Sequence, residues 1–151
     1  MQIRELMSRF VEVVSRDAGV KEAAMKMRDL NVDLLPVCDG SRLIGIVTIR
    51  DVALRLAAEG HDAMTTRVGE IMTRDPIYCF EDQDVAVAAS IMQSSQIDRL
   101  PVLDRNKQLI GIVACRDITA HSGEWTNTEA VQAIDVPPSG YSEEAMSRRN
   151  Q

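Results

Sequence analysis

Residues 34–51 and 99–117 carry nearly the same message, and that repetition constrains the fold more than any other feature. The first stretch reads Leu-Leu-Pro-Val-Cys-Asp, Gly-Ser-Arg, Leu-Ile-Gly-Ile-Val-Thr-Ile-Arg-Asp. The second reads Arg-Leu-Pro-Val-Leu-Asp, Arg-Asn-Lys-Gln, Leu-Ile-Gly-Ile-Val-Ala-Cys-Arg-Asp. Pro36 and Pro101 stand 101 − 36 = 65 positions apart, and Gly45 and Gly111 stand 66 apart, the extra residue falling in the turn. Upstream, the 65-residue offset relates Met7 to Met72, Asp17 to Asp82, Val20 to Val85, Ala23-Ala24 to Ala88-Ala89, and Met27 to Met92. A match sustained over about fifty positions is an internal duplication.

Each copy has the same local grammar. Residues 2–7 and 67–72 predict one helical turn apiece. Val11–Val14 and Ile77–Phe80 predict short strands, the second behind Asp75-Pro76. Asp17 then opens a predicted helix with apolar residues at Val20, Ala23, Ala24, Met27 and Leu30, one face of a 3.6-residue period. Val85, Ala88, Ala89 and Met92 repeat that face, and small Ala with pliant Met suits packing on a sheet. A hairpin follows in each copy, Leu34–Val37 with Leu43–Val47, and Leu100–Leu103 with Leu109–Val113. The second strand of each pair is almost continuously apolar, which suits burial on both faces. A closing helix begins near Asp51 or Asp117, and the first stops at Gly60, a helix-ending glycine.

The expected architecture is therefore α/β: two β-α-β-β-α repeats packed through their sheets with pseudo-twofold symmetry. A unit of about fifty residues cannot hide its own sheet face alone. Residues 1–59 form the first repeat, 60–67 a polar connector, 68–121 the second repeat, and 122–151 a tail partly ordered at best. Within the tail, Glu129–Ile134 suggests a short helix, and Trp125 and Tyr141 read as anchors.

Composition narrows the function. With aromatics at only 3%, aliphatic residues, Ala and Met must build the interior. A net charge of −6 argues against a nucleic-acid or anionic-membrane surface, which needs a basic face. No apolar run is long enough to span a bilayer, and Met1-Gln-Ile-Arg-Glu lacks a signal-peptide core, so the cytoplasm is the expected location. Cys38, Cys79 and Cys115 lack C-x-x-C spacing and are expected as buried thiols. His61 and His121 stand alone in polar connectors, with no metal-ligand spacing around them, and no nucleophile–base set is visible. Gly45 and Gly111 lie inside strands, outside any phosphate-loop frame, and so predict close backbone approach.

The twice-repeated Leu-Pro-Val, Leu-Ile-Gly-Ile-Val and terminal Asp, each preceded by a Met-led segment and an Ala-rich helix, resembles the tandem cystathionine-beta-synthase (CBS) domain pair, or Bateman module. The resemblance covers roughly residues 1–120. It implies the same β-α-β-β-α pairing, adenosine-containing ligands in clefts between the repeats, homodimerisation, and a regulatory rather than enzymatic role.

Thr48-Ile-Arg-Asp51 has two readings. On spacing alone it is a capping box, Thr capping a helix while the acid three residues on reaches back. The resemblance instead implies that Thr48 and Asp51 bind a ribose and phosphate, since a carboxylate can accept both ribose hydroxyls. It also implies that Pro76 and Ile77 complete that cleft around adenine, with Arg99 and Arg116 for phosphate. The opposite cleft gathers Val11, Leu34, Arg50, Ala114 and Asp117, and is weaker because Ala114 has no hydroxyl and Leu34 no charge. Asp117 persists where no hydroxyl cap exists, which suits ribose binding better than capping. One or two arginines suit a monophosphate, so the implied ligand is AMP ahead of ADP or ATP. A sensor of this kind implies an effector protein that reads its change of shape or assembly. Two alternatives stay open: an S-adenosylmethionine-binding pair, and a ligand-free dimerisation or interaction module. No cofactor or metal is implied.

Overall fold

The computed structural model describes residues 1–121; the expectations for Trp125, Glu129–Ile134 and Tyr141 fall outside them. Among the described residues, seven strands form two sheets, β1-β2-β3-β4 and β5-β6-β7. In the first, β1 (Val14–Ser15) runs parallel to β2 (Leu34–Asp39), which forms a hairpin with β3 (Arg42–Thr48). In the second, β5 (Cys79–Phe80) runs parallel to β6 (Arg99–Leu103), which forms a hairpin with β7 (Leu109–Ala114). Both hairpins shift register at one place, Val37/Cys38 and Val102/Leu103, which are 65 positions apart.

The helices pair off in the same way. Helix α1 (Val20–Leu30) and helix α4 (Val85–Ser95) bury Val20, Ala23 and Met27, and Val85, Ala88 and Met92. Each ends on a left-handed residue, Asn31 (φ 54°) or Gln96 (φ 56°). The predicted start at Asp17 is too early. Ser15 Oγ accepts the Asp17 N–H (3.2 Å), a turn that delays the helix until Gly19 can serve as its N-cap. Helix α2 (Ile49–Val52) runs on as a π-helical segment, Ala53–Ala58, and Gly60 follows at φ 75°. Helix α5 is Cys115–His121.

Three further expectations need correction. The strands predicted over 11–14 and 77–80 shrink to Val14–Ser15 and Cys79–Phe80, because only those residues lie alongside β2 and β6. Burial is deepest in the first strand of each hairpin, not the second: Leu34–Cys38 and Leu100–Leu103 are wholly buried, whereas β3 and β7 emerge from the core at their turn ends, Arg42, Leu43 and Ile44, and Leu109 and Ile110. Cys38 and Cys79 are buried as expected, but Cys115 is only partly so.

The copies exchange their leading segments. Ile3, Leu6 and Met7, at the head of the first copy, sit in the hydrophobic core of the second with Val85, Leu100, Val113 and Ile118. Helix α3 (Val68–Ile71) does the reverse, placing Val68 and Ile71 beside Val20, Leu35 and Val47. The bonds that hold the exchange are equivalent under the 65-residue offset. Ile3 N–H donates to the Gln83 carbonyl (2.9 Å) as Val68 N–H does to Ala18 (2.8 Å), and Val85 N–H donates to Met1 as Val20 N–H does to Thr66 (both 3.0 Å). Beyond α3, β4 (Thr73–Arg74) pairs antiparallel with β3, and Ser8 bridges Ile112 of β7 in the same manner.

This crossing explains the two strand glycines. A Cβ on Gly45 would lie 2.7 Å from Met72 Sδ and 2.9 Å from the Thr73 carbonyl. A Cβ on Gly111 would lie 2.8 Å from both Met7 Sδ and the Ser8 carbonyl. Glycine therefore lets each crossing segment approach the other copy's strand, as the sequence anticipates.

Candidate functional site

Strand β3 ends at Thr48, which caps α2. Thr48 Oγ1 accepts the Asp51 N–H (3.1 Å), while Asp51 Oδ2 accepts the Thr48 N–H and the Thr48 hydroxyl, both at 3.0 Å. This is the complete capping box that the spacing allows. A third group joins it. Thr73, delivered by the crossing strand β4, sets its hydroxyl 3.4 Å from both Asp51 oxygens. One carboxylate thus sits where the first repeat's helix meets a strand from beyond the connector. Pro76 and Ile77 follow Thr73 by three and four residues; Pro76 is half-buried and Ile77 is 44% exposed.

The pseudo-symmetric position is simpler. Asp117 Oδ2 accepts the Ala114 N–H (3.2 Å), so the aspartate caps its helix without a hydroxyl partner. Asp117 therefore has a capping role beside the ribose role that the resemblance implies: the backbone amide is the group to be satisfied, and Ala supplies one as well as Thr does. Ser8, the counterpart of Thr73, turns its hydroxyl to the Phe10 carbonyl (3.3 Å) instead. Val11 is half-buried in the loop that follows, and Arg50 and Arg116 are exposed in the first turns of α2 and α5.

Arg99 lies elsewhere. Its backbone pairs with Ala114 in its own hairpin, yet its Nη1 reaches to 3.9 Å from Asp33 Oδ1 in the other repeat. The side chain is only 16% exposed, and Nη1 is buried without a hydrogen-bond partner. Arg99 borders a cavity of about 550 Å³. Ala24, Met27 and Val52 give it an apolar wall between α1 and α2; Arg28, Asp33, Asp98 and Arg99 give it charge. Ile49 lines it too, whereas Thr48, Asp51, Pro76, Ile77 and Arg116 do not. On a helix of 3.6 residues per turn, Ile49 and Val52 share a side and Asp51 lies well round from Ile49. The sequence-predicted set is thus divided into a carboxylate cluster, Thr48–Asp51–Thr73, and a charged cavity that contains Arg99.

Three residues of this arrangement escaped the sequence reading: Thr73, Asp33 and Asp98. The signal for them was duplication of chemistry, since Thr73 matches Ser8 and Asp33 matches Asp98 at the 65-residue offset. Burial pushes the Cys38 thiol up to about 11 and the Cys79 thiol up to about 12, so neither is an activated nucleophile. Among the described residues, no group of three or more His, Cys, Asp and Glu side chains is placed to hold a metal ion. No helix among them is long and apolar enough to cross a membrane.

Comparison with known proteins gives a consistent picture. The CBS domain family model matches residues 3–58 and 68–124. The CBS domain-containing protein YhcV of Bacillus subtilis is 34% identical over 132 residues, covering 87% of this chain and 91% of the relative. Hypoxic response protein 1 of Mycobacterium tuberculosis is 33% identical over 136 residues, covering 89% and 94%. A crystal structure of Hypoxic Response Protein I with two coordinated zinc ions superposes with a TM-score of 0.74 at 30% identity, over 81% of this chain and 99% of that one. The CBS domain pair of protein MJ0100, in complex with 5′-methylthioadenosine and S-adenosyl-L-methionine, superposes at 0.69 and 30% identity, over 80% and 94%.

Proposed function

This chain belongs to the CBS domain family, and from that premise we propose that it is a regulatory module that binds an adenine nucleotide, AMP first among them, between its repeats. The observation that carries the proposal is the meeting of Thr48, Asp51 and Thr73 at one carboxylate, contributed by segments on both sides of the connector. Both Asp51 oxygens can accept hydroxyl hydrogens, which is what a ribose cis-diol offers. In this reading Thr48 and Asp51 take the ribose and phosphate, Pro76 and Ile77 the adenine face, and Arg99 and Arg116 the phosphate. Val11, Arg50 and Asp117 form a weaker second cleft.

A ligand shifts such a module only by preferring one arrangement over another. Thr73 supplies the lever, because β4 is the strand that ties the connector side to β3. Whatever displaces its hydroxyl from Asp51 acts directly on the contact between repeats. The module signals by a change of shape or assembly to an effector protein, acts as a homodimer in the cytoplasm, and performs no chemistry of its own.

S-adenosylmethionine is a second reading with its own support. Asp33 and Asp98 border the Arg99 cavity and offer carboxylates to a sulfonium or ammonium group, and the MJ0100 pair, 30% identical to this chain, is described with that ligand. Isothermal titration with AMP, ADP, ATP and S-adenosylmethionine tests both readings, with Asp51→Ala alongside. Binding at about one site per chain that the variant loses supports the sensor; no heat with any ligand leaves a dimerisation module.

A further inference from the structure

We infer that Asp33 and Asp98 set the charge accepted at the junction of the repeats, admitting an adenosyl ligand whose far end is a single phosphate or a zwitterion and excluding di- and triphosphates. The inference rests on the nucleoside reading above and goes beyond it by naming the ligand's charge class and the residues that select it.

The two aspartates occupy the same register, 98 − 33 = 65 positions apart. Each is pinned by its backbone to the start of the following helix. The Asp33 carbonyl accepts the Ile49 N–H (3.0 Å), and the Asp98 carbonyl accepts the Cys115 N–H (2.8 Å). Leu34, next to Asp33, lies directly across the hairpin from Thr48, and Arg99, next to Asp98, lies directly across from Ala114. Both carboxylates therefore adjoin the helix starts where the ligand's anionic end belongs in the proposed site, and both border one cavity with Arg99.

Charge decides what that cavity can hold. Arg28 and Arg99 contribute two positive charges, and Asp33 and Asp98 cancel them. Arg99 Nη1 is buried and has no hydrogen-bond partner, and the nearest carboxylate oxygen is 3.9 Å away. One phosphate or one carboxylate can take up that donor after a small shift of the guanidinium. A second or third phosphate meets the aspartates, because Arg28 is already paired with Asp29 (2.9 Å) and Arg116 lies outside the cavity lining. Asp33 and Asp98 are exposed; repulsion from each, a few ångströms from a phosphate in water, is about fivefold in affinity, so the pair amounts to about tenfold or more. A sulfonium or ammonium group meets the same carboxylates favourably.

The test is calorimetric titration of the full chain and of the Asp33→Asn/Asp98→Asn double variant with AMP, ADP, ATP and S-adenosylmethionine. The expected result is wild-type binding of AMP or S-adenosylmethionine with ATP at least about tenfold weaker. In the double variant ADP and ATP gain about tenfold relative to AMP, and S-adenosylmethionine weakens. Asn matches Asp in shape, and the Asp33 side chain is 60% exposed, so the fold tolerates the change. Wild-type protein that prefers ATP to AMP overturns the inference without any variant. So does an unchanged order of preference in the double variant, with nucleotide binding itself intact. Absence of heat with every ligand in both proteins removes the nucleoside reading and the inference together.

Discussion

The hydroxyl of Thr73 stands 3.4 Å from each carboxylate oxygen of Asp51, across the connector that separates the two repeats. Asp51 is already committed to Thr48 through its amide and hydroxyl, so Thr73 occupies the remaining face of a charged acceptor. That contact is long for a hydroxyl–carboxylate bond and correspondingly weak. It is the kind of contact that a ligand hydroxyl can replace.

Thr73→Val removes the competing hydroxyl and keeps the shape. AMP should then bind more tightly, by up to about tenfold for one displaced hydrogen bond. Its 2′,3′-dideoxy analogue should be unaffected. Side-by-side titration of the two ligands checks this, and weaker AMP binding in the variant would mean that the hydroxyl assists the ligand.

The two caps should differ in worth. Asp51→Ala removes the bonds to Thr48 and Thr73, and should cost about 1–2 kcal/mol, the upper part of the range for a helix cap. Asp117→Ala removes the single bond to the Ala114 amide and should cost about 0.5–1 kcal/mol. Urea denaturation of both variants measures the difference.

Gly45→Ala and Gly111→Ala should each destabilise the protein by about 1–3 kcal/mol through overpacking. Trimming Met72 or Met7 to Ala in the same chain should recover only part of that loss. The added methyl also meets a backbone carbonyl, at 2.9 Å from Thr73 and 2.8 Å from Ser8, which cannot step aside.

Ile3→Ala should cost about 2–4 kcal/mol, as for any fully buried large-to-small change. The location of the damage is the sharper prediction. Native-state hydrogen exchange should speed up in β6, β7 and α4, whose core contains Ile3, rather than in α1, β2 and β3.

The buried thiols predict an alkaline loss of stability. Burial raises Cys38 from 9.0 to about 11 and Cys79 from 9.0 to about 12 in the folded chain. Below about pH 9 both states keep the thiols protonated and stability is indifferent to them. Between about pH 9 and 12 the unfolded chain releases protons that the folded chain retains, so stability falls as pH rises. Urea midpoints across that window, compared with Cys38→Ala/Cys79→Ala, isolate the effect. At neutral pH an alkylating reagent should label both cysteines only after unfolding.

Much of this protein is legible from local pattern. The 65-residue offset predicts two equivalent hairpins and two Ala- and Met-faced helices, and the described residues contain them. Thr48 and Asp51 announce a capping box by spacing, and the box forms. The errors are those of boundaries: α1 waits for Gly19, and β1 and β5 are short because a strand ends where its partner ends. Arg99 is legible as a basic residue beside Leu-Pro-Val, but its engagement with Asp33 is not, because the two are 66 positions apart.

Periodicity and turn chemistry act over a few residues, so the sequence alone determined which elements each copy builds and that two copies must bury one another. It could not determine which copy receives each leading segment. Residues 2–7 and 67–72 are equivalent and would suit either core, and only the folded chain shows each crossing to the other repeat. That choice is made by long-range closure, where Met7 meets Gly111 and Met72 meets Gly45. The same crossing carries Thr73 to Asp51, and the same packing of repeats brings Arg99 to Asp33. Each contact joins groups far apart in the chain, and tertiary structure alone decides it.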